Sequence, residues 1–160
     1  MLVMDVDGTL TDSAMYFSKD GEELKRFSTR DGMGITLLQK SGISTGIITS
    51  ENSAIVTARA KKLNIEHVVL GEKDKSSSIK LIASKTKLDL NEIAFIGDDV
   101  NDEHIMKIVG VTACPKDAVK IIKNISDYIC KNKGGNGAVR EFCELILLAQ
   151  DKPINIHEQW

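Results

Sequence analysis

Short apolar runs bounded by turn residues alternate with longer amphipathic stretches along most of this chain, and that alternation limits the possible folds more than any other feature. A strand buried on both faces reads as an uninterrupted apolar run, whereas a helix covering it shows apolar residues at a 3.6-residue period. Leu2–Val6, Thr45–Ile48, His67–Leu70, Ile93–Ile96, Val111–Ala113 and Tyr128–Cys130 read as strands. Helices are predicted over Gly32–Lys40, from a cap at Asn52 or Ser53 to about Leu63, over Ser76–Thr86, from a cap at Asn101 to Val109, over Ala118–Lys123 and over Val139–Ala149. The pattern predicts an α/β fold: a doubly wound, Rossmann-like parallel sheet with right-handed crossovers. The early part departs from it. Ala14–Phe17 and Glu23–Phe27 flank Ser18-Lys19-Asp20-Gly21, which reads as a β-hairpin because Gly accepts positive φ at the turn.

A length of 160 residues suits one core, so residues 1–150 are read as a single domain and the polar residues 151–160 as a loose tail. Charged residues make up 28% of the chain but the formal net charge is only -2, which argues against a nucleic-acid partner. Aromatic residues, at 4%, leave few platforms for stacking bases. No apolar run approaches the ~20 residues needed to cross a bilayer, and no basic, apolar leader precedes the first motif, so no membrane partner is expected. Cys114, Cys130 and Cys143 match no zinc or redox spacing and read as buried thiols in a reducing cytoplasm. A first strand that begins at Leu2 is compatible with further residues, or a partner domain, before Met1.

The chemistry-bearing residues fall at the carboxyl ends of predicted strands, the edge where open parallel sheets bind ligands. In Asp5-Val6-Asp7-Gly8-Thr9, two carboxylates two residues apart can share a hard cation. Asp5 would attack phosphorus, and Asp7 would protonate the leaving oxygen and later accept a proton from water. Thr49 and Ser50, between a strand and a helix N-terminus, suit phosphate oxygens. Lys75 would offset charge in the transition state, with Lys73 as competitor for that place. In Gly97-Asp98-Asp99-Val100-Asn101-Asp102, Asp98 is the candidate ligand for Mg2+. Asp99 and Asp102 would hold Lys75 and a metal-bound water from behind. Each feature alone is explained as well by a solvated turn, a helix cap, an exposed lysine or an acidic loop; their order along one sheet edge favours the enzymatic reading. His67, His104 and His157 have no Gly-x-Ser-x-Gly partner, so a histidine-activated nucleophile does not fit.

These segments resemble the motifs of the haloacid dehalogenase superfamily over nearly the whole chain. The resemblance implies Mg2+ held by Asp5, the main-chain carbonyl of Asp7, and Asp98. The intervals between Thr9, Thr49 and Lys75 leave no room for an inserted cap domain, so a neighbouring subunit is the simplest cover for the site. Phe27-Ser28-Thr29-Arg30-Asp31-Gly32-Met33-Gly34-Ile35 and Lys133-Gly134-Gly135-Asn136-Gly137-Ala138-Val139-Arg140-Glu141 are similar to the capless branch that dephosphorylates 3-deoxy-2-keto sugar acids. That likeness implies a homotetramer built around the hairpins, Arg30, Asp31 and Gly32 among the substrate-binding residues, and a substrate role for the glycine-rich stretch. Two substrates fit the branch, the eight-carbon 3-deoxy-octulosonate 8-phosphate of lipopolysaccharide synthesis and a nine-carbon sialic-type 9-phosphate. Ser50-Glu51, with Arg59 and Lys62 on the next helix, resembles the nine-carbon enzymes, and Arg59 and Lys62 three residues apart share a helix face that can meet a carboxylate.

Two other classes compete. A receiver-type signalling domain would carry its phosphorylated Asp at the end of a middle strand, where this chain has Thr49-Ser50. A non-catalytic oligomerisation domain of a sialate cytidylyltransferase would not need Asp5, Asp7, Thr49, Lys75 and Asp98 all in place.

Overall fold

Leu2–Met4 (β1) is the strand on which the rest is assembled, and it is buried along its whole length. In the computed structural model, which describes residues 1–155, β1 lies between Thr45–Ile48 (β4) and Ala94–Ile96 (β6). His67–Val69 (β5) extends the sheet beyond β4, and Val111–Cys114 (β7) and Tyr128–Ile129 (β8) extend it beyond β6. The order β5-β4-β1-β6-β7-β8 is parallel throughout. Chain direction across the sheet reverses at β1 and β6, so a crevice opens between their carboxyl ends.

Residue alternation along β1 sends Leu2 and Met4 to one face and Val3 to the other. On the first face lie Thr29–Lys40 (α1), Ala54–Lys62 (α2) and Ala138–Ala149 (α6), with Ile35, Leu38, Val56, Phe142 and Leu147 fully buried. On the second lie Lys75–Thr86 (α3), Glu103–Met106 (α4) and Lys120–Ile125 (α5), packed through Ile79, Ile105 and Ile122. Helices α1 and α6 approach closely: a Cβ at Gly34 would stand 2.9 Å from the Arg140 Cα.

The hairpin is shorter and tighter than the sequence suggests. Its strands are Tyr16–Ser18 (β2) and Gly21–Leu24 (β3), with a bulge between Tyr16 and Phe17. Gly21 takes φ +119°, so it opens the return strand and leaves a two-residue loop. Helix α1 begins three residues earlier than expected because Ser28 caps it, accepting from the Arg30 and Asp31 amides. The expected helix from Asn101 to Val109 is instead a 3-10 turn over Val100–Asp102, capped by Asp99, followed by the short α4. The tail is held down as far as described: Lys152 Nζ donates to the Ser41 carbonyl at 2.7 Å and Ile154 packs on the core. His157 lies outside the described residues. Among the described residues, no helix is long and apolar enough to cross a membrane.

Candidate active site

One residue past β1, the Asp5 amide donates to the Ile96 carbonyl at 3.0 Å, which fixes Asp5 at the lip of the crevice. The chain then turns sharply. The amides of Thr9, Leu10 and Thr11 all converge on the Val6 carbonyl, and Gly8 takes φ +91°. Glycine is required there twice over, because a Cβ would also stand 2.1 Å from Asp98 Oδ2. The turn brings Thr9 Oγ1 to Asp98 Oδ1 at 3.1 Å, so the first and fourth sequence motifs meet side by side.

Lys75 is the first residue of α3, and Asp74 caps that helix by accepting from the Ser77 amide. Its ammonium is buried and donates to Asp5 Oδ1 at 2.5 Å and to Asp102 Oδ1 at 2.6 Å. Asp102 is itself fully buried, and its Oδ2 accepts from the Asp98 amide at 3.0 Å. Gly97 makes room for it, since a Cβ there would lie 2.3 Å from Asp102 Oδ2. Asp102 therefore holds Lys75, as its sequence position suggested. Asp99 does not: it is exposed, and its Oδ1 accepts from the Val100 amide at 2.7 Å.

Burial and then the Asp102 charge raise Asp5 well above the usual carboxylate range, against the pull of Lys75. Burial, followed by the Asp102 charge, pushes Asp98 up to about 7. Burial opposes the charge on Lys75, yet the carboxylates of Asp5 and Asp102 outweigh it and raise its pKa. Acidic groups crowded and desolvated in this way suit a cation that would supply the missing charge. Oxygens of Asp5, Asp98 and Asp102 all lie within 4.8 Å of one another. Both Asp102 oxygens are already committed to Lys75 and to the Asp98 amide, which leaves Asp5 and Asp98 as the available carboxylates.

Above this cluster is a cavity of about 240 Å³ lined by Asp5, Asp7, Thr49, Ser50, Glu51, Asp99, Val100 and Asn101. Thr49 is buried, and its Oγ1 accepts from the Glu51 amide at 3.2 Å, so its own proton is available to a bound anion.

The other expected substrate contacts are dispersed. Asp31 is buried, and its two oxygens accept from the Gly137 amide at 3.2 Å and the Arg140 amide at 2.8 Å. It joins the start of α1 to the start of α6 rather than facing a ligand. Gly32 is buried against the Arg59 guanidinium. That guanidinium donates to the Ser28 carbonyl at 3.0 Å and lies over the Phe27 ring, whereas Lys62 is exposed. Arg30 is exposed and lines a separate hollow with Arg26, Phe27, Gly135 and Asn136. The glycine-rich stretch has a structural reason for its glycines. The Gly135 amide donates to the Thr9 carbonyl at 3.0 Å, and a Cβ on Gly134 would stand 1.8 Å from the Gly8 carbonyl oxygen.

A residue that sequence reasoning missed stands beside Asp7. The ammonium of Lys25, just past β3, pairs with Asp7 Oδ1 and with Glu22 Oε1. Eighteen residues separate Lys25 from Asp7, and no local pattern announces the contact.

The model of the haloacid dehalogenase-like hydrolases matches residues 43–142. The 3-deoxy-D-manno-octulosonate 8-phosphate phosphatase of Yersinia pestis is 40% identical over 95% of this chain and 81% of its own length. Its crystal structure superposes with a TM-score of 0.92, covering 94% of this chain and 82% of that one. The Moraxella catarrhalis phosphatase of the same name, solved with magnesium, phosphate and a KDO molecule, is 41% identical with a TM-score of 0.91, covering 94% and 86%. A cobalt-bound Haemophilus influenzae phosphatase is 32% identical with a TM-score of 0.92, covering 94% and 88%. With the family model matching more than half of the chain, and relatives about 40% identical over nearly all of it sharing its fold, this chain belongs to the haloacid dehalogenase-like hydrolases.

Proposed function

We propose that this protein is a Mg2+-dependent phosphatase that hydrolyses the phosphate ester of a 3-deoxy-2-keto sugar acid through an aspartyl-phosphate on Asp5. The observation that carries the reading is the contact of Lys75 with both Asp5 and Asp102 at the mouth of the crevice. It sets a fixed cation against the nucleophile, beneath a small cavity that Asp5, Asp7 and Thr49 line. Asp5, the Asp7 carbonyl and Asp98 would hold the ion, which when bound supplies positive charge to the phosphate and to the Asp5 carboxylate.

An Asp5 oxygen forms a bond to phosphorus as the bond from phosphorus to the ester oxygen breaks, and Asp7 gives its proton to the departing alcohol. Thr49 donates to a phosphate oxygen, and Lys75 offsets the charge that gathers on the phosphoryl group. Asp7 then takes a proton from the water that cleaves the acyl phosphate, and Asp5 is regenerated.

The eight-carbon octulosonate 8-phosphate is the favoured substrate, because the relatives named for it match nearly the whole chain. Glu51, exposed at the rim of the cavity, supports the nine-carbon alternative by its capacity to accept from sugar hydroxyls. Met15, Tyr16, Phe17 and Leu24 are 45–63% exposed on the hairpin, an apolar surface that suits a homotetramer packed through these strands. The three free, buried cysteines suit a reducing cytoplasm.

Phosphate release from p-nitrophenyl phosphate and from the two sugar acid phosphates, with Mg2+ and with EDTA, tests the reading. Magnesium-dependent release, fastest with the eight-carbon ester, is expected. No release under any condition would make the chain a purely structural domain. Sedimentation analysis tests the tetramer.

A further inference from the structure

We propose that Lys25 is a positioning residue for the reaction, holding Asp7 so that one of its oxygens is reserved for the substrate. The proposal rests on the phosphatase reading above. Three observations support it.

The Lys25 side chain is fully buried, with no exposure at all, although lysine is seldom buried without a specific partner. Its partners are Asp7 Oδ1 and Glu22 Oε1, the latter at 2.6 Å. Glu22 is in turn held by Ser53, whose hydroxyl donates to Oε2 at 2.6 Å. Ser53 occupies the N-cap position of α2 but makes no side-chain cap bond there. Its hydroxyl serves the Glu22 contact instead.

The chain Asp7–Lys25–Glu22–Ser53 thus crosses from the catalytic turn, through the hairpin, to the loop that carries Thr49, Ser50 and Glu51. The hairpin's return limb is fixed on its other side as well. Arg26 donates to the Gly135 carbonyl at 3.2 Å and to Asn136 Oδ1 at 2.9 Å. Lys25 is therefore set by contacts on both flanks.

The third observation is Asp7 Oδ2. Among the described residues it is the one buried side-chain oxygen or nitrogen with no hydrogen-bond partner. Buried polar atoms are nearly always paired, so an orphan at a reaction centre marks a place where a partner arrives. With Oδ1 occupied by Lys25, Oδ2 is the oxygen left for the ester oxygen of the substrate. Lys25 transfers nothing itself. It fixes which Asp7 oxygen faces the breaking bond.

Leaving-group dependence tests this directly. An alkyl alcohol must be protonated as it leaves, whereas p-nitrophenolate leaves readily without a proton. The first irreversible step, reported by kcat/KM, should therefore respond to Lys25 only for alkyl esters. Lys25→Met should lower kcat/KM for the sugar acid phosphate by about 10²-fold, the lower end of what a placed acid contributes, and for p-nitrophenyl phosphate by less than about 3-fold. Lys25→Arg should restore most of the alkyl activity. Glu22→Gln, which keeps the lysine, should show the same selectivity at smaller amplitude and serves if Lys25→Met does not fold. Equal losses on both esters, or no loss on either, in a folded variant would overturn the role of Lys25. Absence of any phosphate release by the unmodified protein would instead overturn the phosphatase reading.

Discussion

Replacing Gly134 by Ala adds one methyl group at the point where the glycine-rich stretch meets the catalytic turn. That Cβ would stand 1.8 Å from the Gly8 carbonyl oxygen, 2.6 Å from the Gly8 carbonyl carbon and 3.0 Å from the Thr11 carbonyl oxygen. All three obstacles are main chain, so no side chain can swing aside. Bringing the closest contact out to 3.0 Å requires the two segments to part by about 1.2 Å. Overpacking of this kind costs about 1–3 kcal/mol of stability. The larger effect is on rate, because Gly8 follows Asp7 directly, and a displacement of about 1 Å at a reacting group costs about 10²-fold. The loss should reach p-nitrophenyl phosphate as well as the sugar ester, since the Gly8–Thr9 turn sets Asp98, through Thr9 Oγ1, as well as Asp7. Steady-state phosphate release with both esters, alongside thermal unfolding, measures it. A variant that keeps half its turnover on p-nitrophenyl phosphate would refute the argument.

Asp5→Asn should reduce turnover by more than about 10³-fold with the fold intact, since Lys75 keeps Asp102 as partner; near-normal phosphate release would remove Asp5 as the nucleophile. Asp31→Asn should cost about 1–3 kcal/mol, because an amide group must face the Gly137 or Arg140 amide, and should leave the ratio of activities on the two esters unchanged. Denaturant unfolding together with that ratio decides it. The metal-free protein should lose stability as pH rises. Asp98, pushed from 3.8 up to about 7, keeps a proton in the folded state that the unfolded chain has already released, so its contribution is present at low pH and lost as pH passes about 7. In EDTA the Tm should be higher near pH 5.5 than near pH 8, and Mg2+ should narrow the gap; a Tm that is flat or rising over that interval would contradict the crowding of these carboxylates.

The sheet was legible because burial on both faces leaves few polar residues, and no charged one, to interrupt a central strand: Thr45–Ile48 is read correctly to the residue. Asp5, Lys75 and Asp102 were legible because a parallel sheet gathers its strand ends, so order along the chain translates into neighbourhood. Local competition obscured other features. Asn101 looked like a cap, yet Asp99 captures the Val100 amide first and tightens the backbone into a 3-10 turn. Ser53 looked like a cap, and its hydroxyl is drawn away by Glu22. Asp31 lies in a segment that resembles substrate-binding residues, but its partners are two amides more than a hundred residues away, which no short-range pattern discloses. Lys25 shares that difficulty.

The central position of β1 bears on how the protein comes to life. Asp5 is synthesised ahead of the groups that hold it: its amide is tied to Ile96, its ammonium neighbour follows at Lys75, and the turn beyond it is propped by Gly135. A nascent chain therefore carries its nucleophile incompletely organised until Gly135 has been made, and competence arrives in one late stage, when α6 docks. Truncations from the carboxyl end should be silent enzymes long before they are unstructured ones.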